Sequence, residues 1–154
     1  MLDVALQKAT AIDSFTEANF RVLAKDSLSL EDWTWLQSVK TFLQPFYRAT
    51  LETQSDTATI DKVLFTMDIL IQCLDDALKE FAADWEFCRR IRNAWETFDK
   101  YYSKTEDSAF YAAALILHPE YRITYIRNNW KTKWQKPALK QVKDLWISYR
   151  ESVQ

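Results

Sequence analysis

Glycine is absent from this chain, although the chain has 154 residues. At an average usage of about 7%, a protein of this length would carry roughly 11 glycines. Glycine supplies the positive φ angles that tight hairpins, β-bulges and phosphate-binding loops require. Its absence excludes a P-loop, a GxGxxG dinucleotide site and a nucleophile elbow, and it argues against a sheet built from hairpins. The remaining fold class is all-α.

Apolar side chains recur at helical spacing along most of the chain. The spacing predicts a first helix over roughly 2–24, and Ser29 with Asp32 resembles a capping box at the start of a second helix. Pro45 lies inside the second apolar stripe, which predicts one kinked helix or two nearly collinear helices. The whole pattern predicts a single domain over residues 1–154, an irregular bundle of about six or seven helices without a sheet.

Polar residues and prolines mark the later helix boundaries. Asp56 or Thr59 is placed to cap one helix, and Asp84 is placed to cap the next. Pro119 and Pro137 suit the first turns of the last two helices, because proline has no backbone N–H to satisfy there.

Charge is distributed unevenly, which the net charge of −2 conceals. Residues 1–117 carry 12 Lys+Arg and 19 Asp+Glu, whereas residues 118–154 carry 8 and 3, so the two parts have net charges of −7 and +5. Two interpretations stay open. The basic part contacts a polyanion such as DNA, or it stabilises the packing by attracting the acidic part.

The chain has 15% aromatic residues, and many of them occur at core spacing. Trp33, Trp85 and Trp95 are predicted to lie in the core. Near the C-terminus, aromatic residues that include Trp134 and Trp146 alternate with basic ones. Such a set either stacks on bases and binds phosphates, or buries its tryptophans and leaves its lysines in water. The basic residues proposed as DNA contacts are Arg122, Arg127, Lys131, Lys133, Lys136, Lys140 and Lys143.

No catalytic set is evident. The single histidine, His118, has no nucleophile beside it in sequence, and His118-Pro119 is predicted to be a helix-breaking dipeptide. Asp61 and Asp68 lie seven residues apart on one helix face, too far to share a metal without another ligand. These carboxylates are interpreted as solvated helix faces and caps. The sequence therefore predicts neither an enzyme nor a metal or cofactor site in this chain.

Cysteine usage and hydropathy bear on the compartment. Cys73 and Cys88 form no CxxC pair, which is typical of free thiols in a reducing environment. No apolar run approaches the length of a membrane-spanning helix, and the N-terminus lacks the features of a signal peptide. The predicted location is the nucleus or the cytoplasm, without a membrane partner.

Several segments together resemble the hAT superfamily of DNA transposases, in particular its fungal members. The similar segments are 1–6 (MLDVAL), 42–56 (FLQPFYRATLETQSD), 60–70 (IDKVLFTMDIL), 95–102 (WETFDKYY) and 111–122 (YAAALILHPEYR). They occur in the family's order, and 111–122 is similar to its Leu-Asp/His-Pro-x-x-Arg/Lys block.

The resemblance implies that the chain is the all-α insertion that interrupts the RNase H-like catalytic domain of these transposases. The family's catalytic Asp/Asp/Glu set, its divalent metal such as Mg²⁺, and its zinc finger would all lie elsewhere in a longer parent protein. The implied function is non-catalytic support of transposon DNA binding and assembly. The implied partners are DNA, the rest of the parent transposase and a second copy of the chain. The alternative is a protein-interaction or scaffold domain without DNA affinity.

Overall fold

The computed structural model describes residues 1–153, which form helices, turns and loops without a β-strand. The all-α class is therefore confirmed, but these residues form nine α-helices rather than six or seven. The helices are α1 (Leu2–Gln7), α2 (Ala9–Ala18), α3 (Phe20–Leu23), α4 (Leu30–Thr53), α5 (Asp61–Glu80), α6 (Trp85–Lys104), α7 (Ala109–Leu117), α8 (Arg122–Asn129) and α9 (Thr132–Ser152). Short 3-10 turns occupy Ala24–Asp26 and Thr105–Asp107.

The larger helix count arises at the N-terminus, where the predicted helix over 2–24 is three helices. The chain leaves helical geometry at Lys8 (φ −104°, ψ 13°) and again at Asn19 (φ −112°, ψ 27°). The Asn19 side-chain amide donates to the carbonyl of Phe15 at 2.9 Å. Asparagine side chains compete in this way with the helical ladder, so a continuous apolar stripe did not ensure a continuous helix.

The chain divides into two compact units, the first being Met1–Arg48 and the second beginning at Ala49. In the first unit Thr16 is the only buried residue. Polar contacts connect its helices: Trp33 Nε1 donates to Asp13 Oδ1 at 3.0 Å, and Lys40 Nζ lies 2.7 Å from Asp3 Oδ1.

Helix α4 begins with the predicted capping box. The Ser29 backbone N–H donates to Asp32 Oδ2 at 2.8 Å, and the Asp32 N–H donates to Ser29 Oγ at 3.1 Å. The helix then continues through Pro45 as one element. The structure thus has one helix rather than two around Pro45, and the kink stays a prediction.

The second unit contains the hydrophobic core. Its centre is a cluster of Leu64 from α5, Leu115 from α7 and Ile126 from α8, each at most 3% exposed. Helix α5 packs against α6 and α7, and α7 also packs against α8 and α9. The apolar α7, which includes the buried Ala112, is thus the central helix of this unit.

The predicted caps of α5 and α6 had different outcomes. Asp84 caps α6 as predicted, because its Oδ1 accepts from the Phe87 N–H at 2.9 Å. Neither Asp56 nor Thr59 caps α5, whose N-cap position is Ile60 without a side-chain hydrogen bond. The core prediction for Trp85 is wrong, since Trp85 is 71% exposed at the start of α6.

The two proline predictions near the C-terminus are also wrong. Pro119 lies in a turn, and α8 begins only at Arg122, which has a φ of 53°. Pro137 lies inside α9, which begins five residues earlier at Thr132. A proline one turn inside a helix removes one backbone hydrogen bond, and α9 nevertheless continues through Pro137.

Candidate nucleic-acid interface

Four lysines form a stripe along α9. Lys133, Lys136, Lys140 and Lys143 are spaced by three, four and three residues, and all four are exposed. At 3.6 residues per turn these positions fall within an arc of about 80°, and a rise of 1.5 Å per residue spreads them over about 15 Å. We call this set the lysine face of α9.

The opposite side of α9 explains why the lysine face points to water. Ala138, Val142 and Leu145 are partly buried there, and α9 packs on α7. No ion pair of residues 1–153 involves a residue of the lysine face. Within residues 1–153, no carboxylate therefore neutralises the charge of these four lysines.

Trp134 lies between two lysines, Lys131 and Lys133, at the start of α9. The Lys133 Nζ lies 4.8 Å from the centroid of the Trp134 ring, and the Lys131 Nζ lies 5.4 Å from it. Trp134 is 42% exposed and Trp146 is 60% exposed, so the interpretation in which the C-terminal tryptophans are buried is wrong for these two. Cation–π attraction keeps two ammonium groups beside an accessible indole ring.

The remaining candidates, Arg122 and Arg127, lie on α8, which contacts α9. The Arg122 Nε donates to the carbonyl of Pro119 at 2.9 Å, so this guanidinium is partly engaged by its own turn. Arg127 is exposed, and its carbonyl accepts from Gln135 Nε2 at 3.2 Å. The structure thus brings four of the seven predicted residues onto one face and places the other three at its N-terminal end and on the neighbouring helix.

A part-buried polar group that the sequence did not indicate centres on Asp68 of α5. The carboxylate accepts from Tyr102 Oη at 2.9 Å, from Tyr125 Oη at 3.0 Å and from Trp130 Nε1 at 2.9 Å. The prediction that the aspartates lie on solvated faces is therefore wrong for Asp68. The three donors are 34, 57 and 62 residues away in sequence, so only the tertiary structure shows the group.

The surroundings shift the pKa values of the three titratable members of this group, Asp68, Tyr102 and Tyr125. Burial raises the pKa of Asp68 above its usual value, against the three donors, which act to lower it. Burial and the nearby Asp68 charge raise the pKa values of Tyr102 and Tyr125 well above the ordinary value for tyrosine. Both phenols therefore stay protonated and remain hydrogen-bond donors.

His118 has structural contacts. Its Nε2 lies 3.7 Å from Asp61 Oδ2, and its Nδ1 accepts from the Glu120 N–H at 3.2 Å. Its ring stacks on Tyr121, with ring centroids 4.4 Å apart, and Tyr121 in turn stacks on Phe65. These contacts fix the turn between α7 and α8 against α5.

Among residues 1–153 no group of three or more His, Cys, Asp or Glu side chains is arranged to hold a metal ion. Cys73 and Cys88 are both free thiols. No helix in the same range combines the length and the apolar character needed to cross a bilayer.

Comparison with protein-family models, curated proteins and solved structures gives no match. The candidate site is therefore described from the geometry of the described residues alone.

Proposed function

We propose that this chain is a non-catalytic helical domain of a hAT-type transposase, or of a protein derived from one, and that it holds DNA through backbone phosphates. The observation that carries the proposal is the lysine face of α9, which is exposed and without ion pairs. In this proposal the catalytic carboxylates and their Mg²⁺ belong to other parts of the parent protein, and the chain acts in the nucleus.

The dimensions of the lysine face suit a nucleic-acid backbone. Each strand of B-form DNA carries one phosphate per 3.4 Å of helix axis, so the length of about 15 Å spans roughly four phosphates of one strand. Lysine ammonium groups act as point charges toward phosphate and carry no base information at such contacts. The proposed binding is therefore independent of DNA sequence.

Exposed aromatic residues on the same helix favour the alternative function, a protein-interaction domain without DNA affinity. Trp146 and Tyr149 are 60% and 63% exposed, and their ring centroids lie 6.5 Å apart. Aromatic residues of this kind are enriched at the centres of protein interfaces.

A salt series with the whole chain separates the two functions. Binding of a fluorescent duplex is measured by anisotropy between about 20 and 200 mM salt, and three to four neutralised phosphates predict a logarithmic slope of roughly −3 to −4. An affinity that does not change when the duplex sequence is scrambled supports backbone contact. Absence of binding at the lowest salt would refute the DNA function and leave the interaction domain.

A further inference from the structure

A pocket in the second unit lies between α6, α7 and α9. Its cavity volume is about 100 Å³, and its walls include Leu64, Ala112, Tyr102, Trp130 and Trp134. At about 30 Å³ per molecule in liquid water, this volume equals roughly three waters or one compact organic group. No residue of the lysine face lines the pocket, but Lys133 of that face lies 4.8 Å from the ring of the wall residue Trp134, so the pocket adjoins the proposed DNA contact.

Glu106, which is exposed, is the only charged residue among those that line this pocket, since no Lys, Arg or Asp lines it. Its carboxylate forms no ion pair with residues 1–153. The backbone around Glu106 is fixed, because the Glu106 carbonyl accepts from Gln141 Nε2 at 3.3 Å and the Thr105 Oγ1 donates to the Tyr102 carbonyl at 2.7 Å. The pocket thus combines three aromatic side chains with one unpaired negative charge.

Two of these rings are hydrogen-bonded to Asp68. Tyr102 and Trp130 both line the pocket, and both donate hydrogen bonds to the Asp68 carboxylate at 2.9 Å. Donation to an anion polarises the O–H and N–H bonds and makes the ring faces more negative, which strengthens their attraction for a cation. The third ring, Trp134, already has two ammonium groups beside it.

We infer that this pocket binds a methylated ammonium group. Aromatic side chains attract such a cation through their negative faces, and its methyl groups match apolar walls such as Leu64 and Ala112. Glu106 provides the opposite charge without requiring a hydrogen bond, which a quaternary ammonium cannot donate. The group belongs either to a small molecule of the choline type or to an N-methylated lysine side chain, which share this chemistry.

The binding test uses choline and its uncharged carbon isostere, 3,3-dimethyl-1-butanol, with the whole chain. The titration is followed by calorimetry and by the NMR signals of the tryptophan indole N–H groups. Choline is expected to bind roughly tenfold more tightly than the isostere, because only choline carries the charge. Equal affinities, or no binding of choline, would overturn the inference.

Two substitutions test the walls of the pocket. Trp134→Ala and Glu106→Gln are each expected to weaken choline binding roughly tenfold. Trp85→Ala and Glu80→Gln serve as matched controls, since neither residue lines the pocket, and both should bind choline like the parent. Equal losses in the controls would contradict the assignment.

A double variant, Lys131→Ala with Lys133→Ala, gives a test in the opposite direction. The two lysines contact the Trp134 ring and repel a cation in the adjacent pocket, so their removal should tighten choline binding by roughly threefold. An anionic or neutral ligand would not gain affinity, and weaker binding would overturn the inference. The same variant is expected to weaken DNA binding, which distinguishes failure of this inference from failure of the proposed function.

Acetylated trimethyllysine amide distinguishes the two sources of the ligand. If it binds roughly tenfold more tightly than choline, the ligand is a modified protein segment, and the reverse order identifies a small choline-type molecule. Both results support the pocket assignment. If unmethylated lysine amide binds as tightly as the trimethylated form, the pocket does not recognise methylated ammonium and the inference is wrong.

Discussion

Trp130 donates a hydrogen bond from its indole Nε1 to Asp68 Oδ2 at 2.9 Å across 62 residues of sequence. Tyr102 and Tyr125 donate to the same carboxylate, so one side chain of α5 connects α6, α8 and the segment that precedes α9. The core of the second unit is thus oriented by a polar group as well as by apolar contacts.

Removal of this carboxylate should destabilise the fold. Asp68→Ala leaves three part-buried donors without their acceptor, and we expect a loss of about 2–4 kcal/mol in the free energy of unfolding, measured with urea. Asp75→Ala, an exposed position on the same helix, should change it by less than about 0.5 kcal/mol. Similar losses for both variants would show that the hydrogen bonds of Asp68 are not the cause.

The pH dependence of stability should also depend on Asp68. Burial raises the folded-state pKa, so the folded protein holds this proton more tightly than the unfolded chain does. The contribution of Asp68 to stability is then greatest below the unfolded-state pKa of about 3.9 and falls as pH rises through the folded-state value.

Asp68→Asn isolates this contribution, because the amide does not titrate. The quantity to follow is the free energy of unfolding of the parent minus that of the variant, measured with urea at a series of pH values. This quantity should decrease as pH rises from about 3 to about 6. An increase of that difference over the same range would contradict the raised pKa.

The apolar face of α6 provides a test of the corrected core. Ile91 is 1% exposed, so Ile91→Ala should cost about 2–5 kcal/mol through lost burial and a cavity. Trp85→Ala on the same helix should cost less than about 1 kcal/mol, because its ring is largely in water and lies 5.7 Å from the Arg89 guanidinium. A larger loss of stability for Trp85→Ala than for Ile91→Ala, in thermal or urea unfolding, would place Trp85 in the core after all.

Asp84 was predicted to cap α6 and does so, whereas Asp56 was predicted as a possible cap of α5 and does not cap it. The two residues can therefore be compared. Asp84→Ala should destabilise the protein by about 0.5–2 kcal/mol, since the Phe87 N–H loses its acceptor. Asp56→Ala should have almost no effect, because Ile60 is the N-cap of α5. Urea unfolding of the two variants tests the difference directly, and a larger loss for Asp56→Ala would contradict the structure.

Structural features that depend on neighbouring residues could be predicted from the sequence, whereas features that depend on distant residues could not. The all-α class followed from the missing glycine, and the Ser29–Asp32 box and the Asp84 cap followed from side chains that bond within three residues. The breaks at Lys8 and Asn19 were missed because neither is glycine or proline. The helix start predicted at Pro137 is wrong, because α9 already begins at Thr132 and continues through the proline.

The two parts of the candidate site differ in the same way. The spacing of Lys133, Lys136, Lys140 and Lys143 is a local pattern, and their common face could have been predicted once α9 was known to begin before Pro137. The Asp68 group could not have been predicted, because its three donors come from separate segments of the chain. The sequence around Asp68 also does not distinguish an aspartate that accepts hydrogen bonds inside the protein from one that is exposed to water.

The salt dependence of DNA binding by two charge-matched variants tests the central claim most directly. One variant changes Lys136, Lys140 and Lys143 to Ala, and the control changes Lys8, Lys25 and Lys100 to Ala, so both lose three exposed positive charges. We expect the first variant to flatten the logarithmic salt slope by roughly 2–3 and to weaken binding to every duplex, whereas the control should keep the parent slope. Equal slopes for the two variants would contradict a phosphate-binding face on α9.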